Sequence, residues 1–189
     1  MSTPSHDPAT PLHERLMREA LATARAGMAA GEAPIGCVIA RGDGTIVARA
    51  WNAMQRTQNK TAHAEIMAFA DAAGRVPLDA RDLIMVSTLE PCVMCTGAAM
   101  EGAVATIVFG LVAPADSGTG RVRPPASPES AMPHIVGRVL ARESRALFVE
   151  WLEKGPDPKQ AKYVQQLLAL TNEDGSDREA PREAPGQVR

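Results

Sequence analysis

Apolar positions recur along the chain with two different periods, and the switches between them predict the elements. Leu12, Leu16, Ala20, Ala24 and Met28 repeat at helical spacing. Thr10 and Pro11 supply an N-cap and a first-turn proline, and Gly31 supplies a stop, so a helix is predicted over residues 11–30. Two short apolar runs follow, at 35–40 and 46–51, joined by Arg41-Gly-Asp-Gly-Thr45; the Asp-Gly turn chemistry predicts an antiparallel hairpin. Residues 52–61 are polar and read as a loop. Residues 62–73 read as a helix with Ile66, Phe69 and Ala73 on one face and Gly74 as its stop. A strand at 83–88, a short helix at 92–100 and a strand at 106–110 come next, an order that implies a parallel strand pair.

The remaining chain divides into loop, helices and tail. Residues 111–133 carry Pro114, Pro124, Pro125, Pro128 and Pro133 and are expected to form a long irregular loop, a lid or a disordered stretch. His134-Ile-Val136 reads as a short strand. Residues 138–154 are amphipathic through Leu140, Leu147, Phe148 and Trp151. Asp157-Pro158 caps a final helix whose apolar residues are Tyr163, Leu167 and Leu170. The expected organisation is a flexible N-terminus at 1–10, one domain at 11–171 and a disordered charged tail at 172–189.

Composition narrows the class. A chain of 189 residues with 45% hydrophobic and 22% charged side chains is an ordinary globular domain. A net charge of -2 and 3% aromatics argue against a strongly basic nucleic-acid domain and against a surface of stacked aromatic rings. After Thr171 the chain holds five acids against three arginines, so the whole net charge sits in the tail and the body is neutral. RNA therefore stays open as a partner, without electrostatic support from the charge balance. No apolar run is long enough to span a membrane. The polar start does not read as a secretory signal, and three cysteines are too few for a disulfide framework; free thiols in the cytoplasm are expected.

Two motifs carry chemistry. Thr61-Ala-His-Ala-Glu65 lies where a helix begins, and Glu90-Pro-Cys-Val-Met-Cys95 opens another just after a strand. Cys92 and Cys95 are three apart, which places both on one helical face, and Pro91 fits the first turn. Two thiolates and an imidazole suit zinc. Only His63, Cys92 and Cys95 are well placed, and three protein ligands leave the fourth position for water, the arrangement of catalytic zinc. Glu65 is then placed to move a proton between that water and a leaving group. Taken alone, the Cys-x-x-Cys pair also fits a thiol redox couple or half of a zinc knuckle; the two motifs together match the H-x-E and P-C-x-x-C signature of zinc deaminases.

With these motifs in view, the chain resembles the cytidine deaminase-like superfamily, and within it the bacterial tRNA-specific adenosine deaminases. The similar stretches are Ala33-Pro-Ile-Gly-Cys-Val-Ile39, Trp51-Asn52, Thr61-Ala-His-Ala-Glu-Ile66, Thr88-Leu-Glu-Pro-Cys-Val-Met-Cys95 and Ile107-Val-Phe-Gly110. The resemblance implies a three-layer α/β/α fold around a mixed sheet, zinc on His63, Cys92 and Cys95, and Glu65 as proton shuttle. It also implies that Asn52 contacts the base, that the backbone of Ala64 meets the substrate's amide edge, that Ile35 forms an apolar pocket wall, and that the protein is a homodimer. The reaction implied is hydrolytic deamination, of adenosine in a tRNA anticodon loop or of a free base or nucleoside such as guanine, cytosine or adenosine. A zinc-binding partner subunit without activity is the alternative, and the presence of Glu65 speaks against it.

The chain departs from its relatives in three places. The tail is acidic, Phe109-Gly110 continues as Leu111-Val-Ala-Pro-Ala115, and the proline-rich loop stands where a longer late strand is usual. Arg121-Val-Arg123 within that loop reads as solvated rather than as a phosphate contact, and Cys37 as a buried strand residue.

Overall fold

The computed structural model describes residues 8–126 and 130–178. The first helix, α1 (Pro11–Ala29), begins at a capping box: Thr10 Oγ1 accepts the N–H of His13, and His13 Nδ1 accepts the N–H of Thr10. Strands β1 (Gly36–Ala40) and β2 (Ile46–Trp51) form the expected antiparallel hairpin. Then come α2 (Met54–Thr57), α3 (Ala64–Ala72), β3 (Leu83–Leu89), α4 (Val93–Glu101), β4 (Val104–Leu111), β5 (His134–Val136), α5 (Ala141–Glu153) and α6 (Pro158–Ala169).

The five strands lie in the order β2-β1-β3-β4-β5. β1 is antiparallel to both neighbours, whereas β3, β4 and β5 run parallel, so the sheet is mixed. Alternation along β3 divides the layers. Met85 joins the cluster with Ala64, Ala68 and Ala72 of α3 and Ala99 of α4, together with Cys37 and Phe109. Ile84 and Val86 join the opposite cluster with Leu16, Met17 and Ala20 of α1. Helices α5 and α6 close the end of the body through Phe148, Trp151, Val164 and Leu167, packed against Leu89 and Leu111. This is the three-layer α/β/α arrangement implied by the sequence.

Close approach explains one strand position. A Cβ on Gly36 would lie 2.3 Å from the carbonyl oxygen of Ala20, so α1 rests directly on the start of β1.

Several expectations are adjusted. The buried stripe of α3 is Ala64, Ala68 and Ala72, while Ile66 and Phe69 are half-buried and Ala73 is exposed. Small residues face inward because the helix lies close to the sheet. α3 starts two residues later than predicted, with His63 as its N-cap, and α2 forms inside the predicted loop 52–61. Pro91 precedes the N-cap Cys92 rather than sitting in the first turn of α4. Strand β4 runs through Leu111, so the proline-rich segment starts one residue later; its residues 127–129 lie outside the described residues. The expected disordered tail is ordered through Arg178: Thr171 is buried and bridges to Asp177, Asn172 N–H donates to Ser176 O, and Arg178 N–H donates to Leu170 O. Residues 1–7 and 179–189 lie outside the described residues.

Candidate active site

Two helix starts converge on one spot. His63 is the N-cap of α3 and Cys92 the N-cap of α4, both with extended backbone. Their side chains therefore leave the helical lattice and turn across the helix ends. This resolves the spacing of His63 and Glu65, which an ideal helix would hold apart. Cys95, in the first turn of α4, is fully buried.

The three donor atoms form a near-equilateral triangle. Cys92 Sγ lies 3.6 Å from Cys95 Sγ, and His63 Nδ1 lies 3.6 Å from each sulfur. Donors about 2.1–2.3 Å from a tetrahedral ion stand roughly 3.5–3.8 Å apart, so the triangle fits zinc without rearrangement. No other His, Cys, Asp or Glu among the described residues completes the group to four.

Glu65 lies beside the triangle. It is buried, its Oε2 is 3.4 Å from Cys95 Sγ, and its Oε1 accepts the Ser87 hydroxyl at 2.9 Å. Ser87 stands on β3 two residues beyond Met85, on the α3/α4 side of the sheet. Burial pushes the Glu65 carboxyl upward, and the hydrogen bonds from its own backbone and from Ser87 offset part of that rise. Cys92 is drawn down to about 3 by hydrogen bonds with Cys95 and His63. Cys95 is pushed up by its bond to Cys92 and by burial, and His63 is raised chiefly by Cys92. Cys92 and Cys95 would both hold zinc as thiolates, beside the His63 imidazole.

The triangle opens into a cavity of about 690 Å³, within the range of small-molecule sites. His63, Glu65 and Cys92 face it from one side; Ile35 and Asn52 line another wall. Ala64, the first residue of α3, has its side chain buried in the core cluster and not on the cavity wall. Of the residues expected from sequence, His63, Glu65, Cys92 and Cys95 come together, and Asn52 and Ile35 border the same space.

Four further residues were given no role by the sequence, although Glu90 sits inside the cysteine motif. Glu32, Glu90, Asp116 and Tyr163 lie far apart in the chain. Glu90 belongs to the cysteine motif, and its carboxylate accepts from Ala113 N–H at 2.9 Å and from the hydroxyls of Ser117 and Thr119. It thereby folds the start of the proline-rich segment over the site, with Asp116 on the cavity wall. Tyr163, partly exposed, borders the cavity from α6. Arg121 and Arg123 are exposed, as expected, and Arg121 also straps its own loop by donating to the carbonyls of Pro114, Ala115 and Ser117. Cys37 is fully buried in β1, as expected.

Comparison with known proteins agrees with this geometry. Residues 10–111 match the family described as the cytidine and deoxycytidylate deaminase zinc-binding region. A tRNA(Ile)-lysidine synthase of Deinococcus radiodurans is 40% identical over 116 residues, covering 61% of this chain and 20% of that protein. A tRNA-specific adenosine deaminase of Haemophilus influenzae is 36% identical over 98 residues, covering 51% of this chain and 57% of the relative. The chain thus spans a fifth of the first relative and little more than half of the second. A solved structure from work on A-to-I editing by tRNA:A34 deaminases is 26% identical with a TM-score of 0.58, covering 70% of this chain and 98% of that one. Guanine deaminase from Nitrosomonas europaea is 25% identical with a TM-score of 0.61, covering 79% and 87%. With more than half of its length matched, and with the ligand triangle in place, this chain belongs to the cytidine and deoxycytidylate deaminase family through its zinc-binding region.

Proposed function

We propose that this protein is a zinc-dependent hydrolytic deaminase of an amino-substituted nucleobase, with adenosine in a tRNA anticodon loop as the leading substrate. The observation that carries the reading is the donor triangle of His63, Cys92 and Cys95 with buried Glu65 beside it, at the wall of a base-sized cavity. Zinc held there supplies the Lewis acidity that makes a water nucleophilic near neutral pH. Glu65 would take one proton from the attacking water to the ring nitrogen and a second, from the hydroxyl so added, to the amine, so that the carbonyl forms as the C–N bond breaks and ammonia leaves. Ser87 holds the Glu65 carboxylate for this transfer. Asn52 and Ile35 border the space that the base would fill, and the backbone of Ala64, next to His63 at the start of α3, is the group proposed to meet its amide edge.

A second substrate reading, a free base or nucleoside, is favoured by Asp116 and Asp157 on the cavity wall. Two carboxylates against the single ammonium of Lys159 leave that wall net negative and repel phosphates, and the neutral body offers no balancing excess of positive charge. The partner-subunit reading leaves buried Glu65 and its Ser87 bond without use.

We also propose a homodimer and a cytoplasmic location. Exposed Val93 and half-buried Met94 on α4, with half-buried Ile66 and Phe69 on α3, offer an apolar surface for a second copy. Three free cysteines fit a reducing compartment, and no helix among the described residues is long and apolar enough to cross a membrane. Sedimentation at micromolar concentration tests the dimer, and a monomer there removes it.

The decisive experiment is a substrate screen with zinc-loaded protein. Free bases, nucleosides and an anticodon stem-loop with adenosine at the wobble position are compared for ammonia or inosine release. Release from the stem-loop supports the leading substrate, and release only from a free base or nucleoside supports the second. Silence across the panel overturns the deaminase reading.

A further inference from the structure

Glu32 is a carboxylate buried to 1% exposure, in the turn between α1 and β1. Three donors converge on it. Oε2 accepts from Asn52 Nδ2 at 3.1 Å and from Gln55 N–H at 3.2 Å, and Oε1 accepts from Arg56 N–H at 2.7 Å. The backbone on both sides of the Asn52 side chain is tied separately: Asn52 N–H donates to Ile35 O, and Ala53 N–H donates to Ala62 O, each at 2.9 Å. The main chain of Asn52 is therefore set by the hairpin and by the approach to His63, and the freedom that remains is the rotation of its amide.

An amide has two faces of opposite character, a carbonyl acceptor and an NH2 donor, and rotating it by half a turn exchanges them. Glu32, with its oxygens already accepting from two backbone N–H groups, offers only acceptor character to Asn52. Only Nδ2 can face it. Oδ1 is then the atom left over; it has no partner among the described residues, and Asn52 borders the cavity.

We infer that Glu32 is a positioning residue that locks the Asn52 amide, so that the site presents a hydrogen-bond acceptor, and not a donor, to the substrate base. This inference rests on the deaminase reading above for its substrate, and on geometry alone for the lock. The group recognised by Oδ1 is an N–H of the base or a sugar hydroxyl. Buried polar groups built to pair with a substrate reject ligands that leave them unpaired, so the lock acts on specificity as well as on binding.

Replacing Glu32 with glutamine tests this directly. The new side chain would turn a nitrogen towards at least one of the three donors. With its NH2 on the Asn52 side, the Asn52 amide turns over and shows Nδ2 to the cavity; with its carbonyl there, the N–H of Arg56 loses its acceptor. The experiment uses the full chain loaded with zinc and a cycle over E32Q and N52A. The probes are guanine and a stem-loop with adenosine at the wobble position. On whichever probe the wild type deaminates, E32Q is expected to lower kcat/KM by about tenfold or more, mainly through KM. The E32Q/N52A double variant should be no worse than N52A alone, and zinc content should stay at that of the wild type. Additive losses, or an E32Q loss confined to zinc content, overturn the inference.

A second readout needs neither turnover nor a variant at Glu32. The Asn52 side-chain amide is assigned by NMR from the signal pair lost in N52A. One of its two protons should exchange slowly with solvent in the wild type. Rapid exchange of both protons overturns the lock. Slow exchange without deamination of either probe keeps the lock and overturns the substrate reading, so the two failures are distinguishable.

Discussion

Glu90 accepts the backbone N–H of Ala113 at 2.9 Å, across 23 positions of chain. Glu90 immediately precedes Pro91 and Cys92, so one carboxylate joins the turn that bears a metal ligand to the segment that leaves β4. The hydroxyls of Ser117 and Thr119 share the same carboxylate, and Gly118 N–H donates to Pro91 O at 2.8 Å. Hydroxyls can turn to other partners, but the buried Ala113 N–H cannot. Glu90→Ala is therefore expected to cost about 2–4 kcal/mol of stability, read by urea unfolding of the zinc-loaded protein. Glu90→Gln should cost less, because an amide keeps one acceptor and the hydroxyls can rotate to accept from its NH2. Equal losses from the two variants would refute this count of partners.

Gly118 rests on the main chain of Cys92. A Cβ there would lie 2.3 Å from the Cys92 carbonyl oxygen and 2.4 Å from its carbonyl carbon. Backbone meets backbone, so no side chain can swing aside. Gly118→Ala is expected to cost about 1–3 kcal/mol as overpacking, and to weaken zinc binding because the strain falls on a ligand-bearing residue. A chelator competition assay and a melting curve measure both effects. Wild-type values for both would show that the segment yields freely.

Glu65→Gln keeps the shape of the site and removes the group proposed to carry the proton. We expect kcat to fall by at least about a hundredfold while zinc stays bound, since Glu65 is not one of the three donors. Ser87→Ala removes one hydrogen bond from the same carboxylate and should give a smaller loss of kcat. Ammonia release together with metal analysis checks both variants. Deamination by Glu65→Gln at the wild-type rate would remove the assigned role.

Metal removal should expose one thiol and not the others. Cys92 is half-buried, whereas Cys37 and Cys95 are fully buried. Burial, reinforced by the charge of Glu65, pushes the Cys37 thiol well up, so it stays protonated near neutral pH. Alkylation of the chelator-treated protein, read by mass spectrometry, should label Cys92 first and leave Cys37 unlabelled while the fold persists. Zinc-loaded protein should resist labelling at Cys92 and Cys95. Early labelling of Cys37 would contradict its placement in β1.

The parts legible in the sequence depend on neighbours a few positions apart. Thr10 with Pro11, and Asp157 with Pro158, cap helices through bonds that span two or three residues. The Asp-Gly turn set the hairpin for the same reason. His63 with Glu65, and Cys92 with Cys95, are close in sequence because each pair uses a single helix start. Short range also misled: Ile66 and Phe69 have the hydrophobicity of a core face, yet the alanines of α3 take that place because the helix lies close to the sheet. Residues 172–178 have the composition of a tail, yet a bridge from buried Thr171 to Asp177 holds them.

The sequence by itself determined the residue types of the metal triangle, the carboxylate beside it and the order of elements, because these reside in short motifs and in periodicity. Tertiary structure alone decided that the two helix starts meet at 3.6 Å, that Glu32 grips Asn52, and that Asp116 and Tyr163 share a cavity with Asn52. Those relations join residues from 20 to more than 100 positions apart. No local propensity encodes them; they arise when the two sides of the sheet are covered and the loops at its end are drawn over the site.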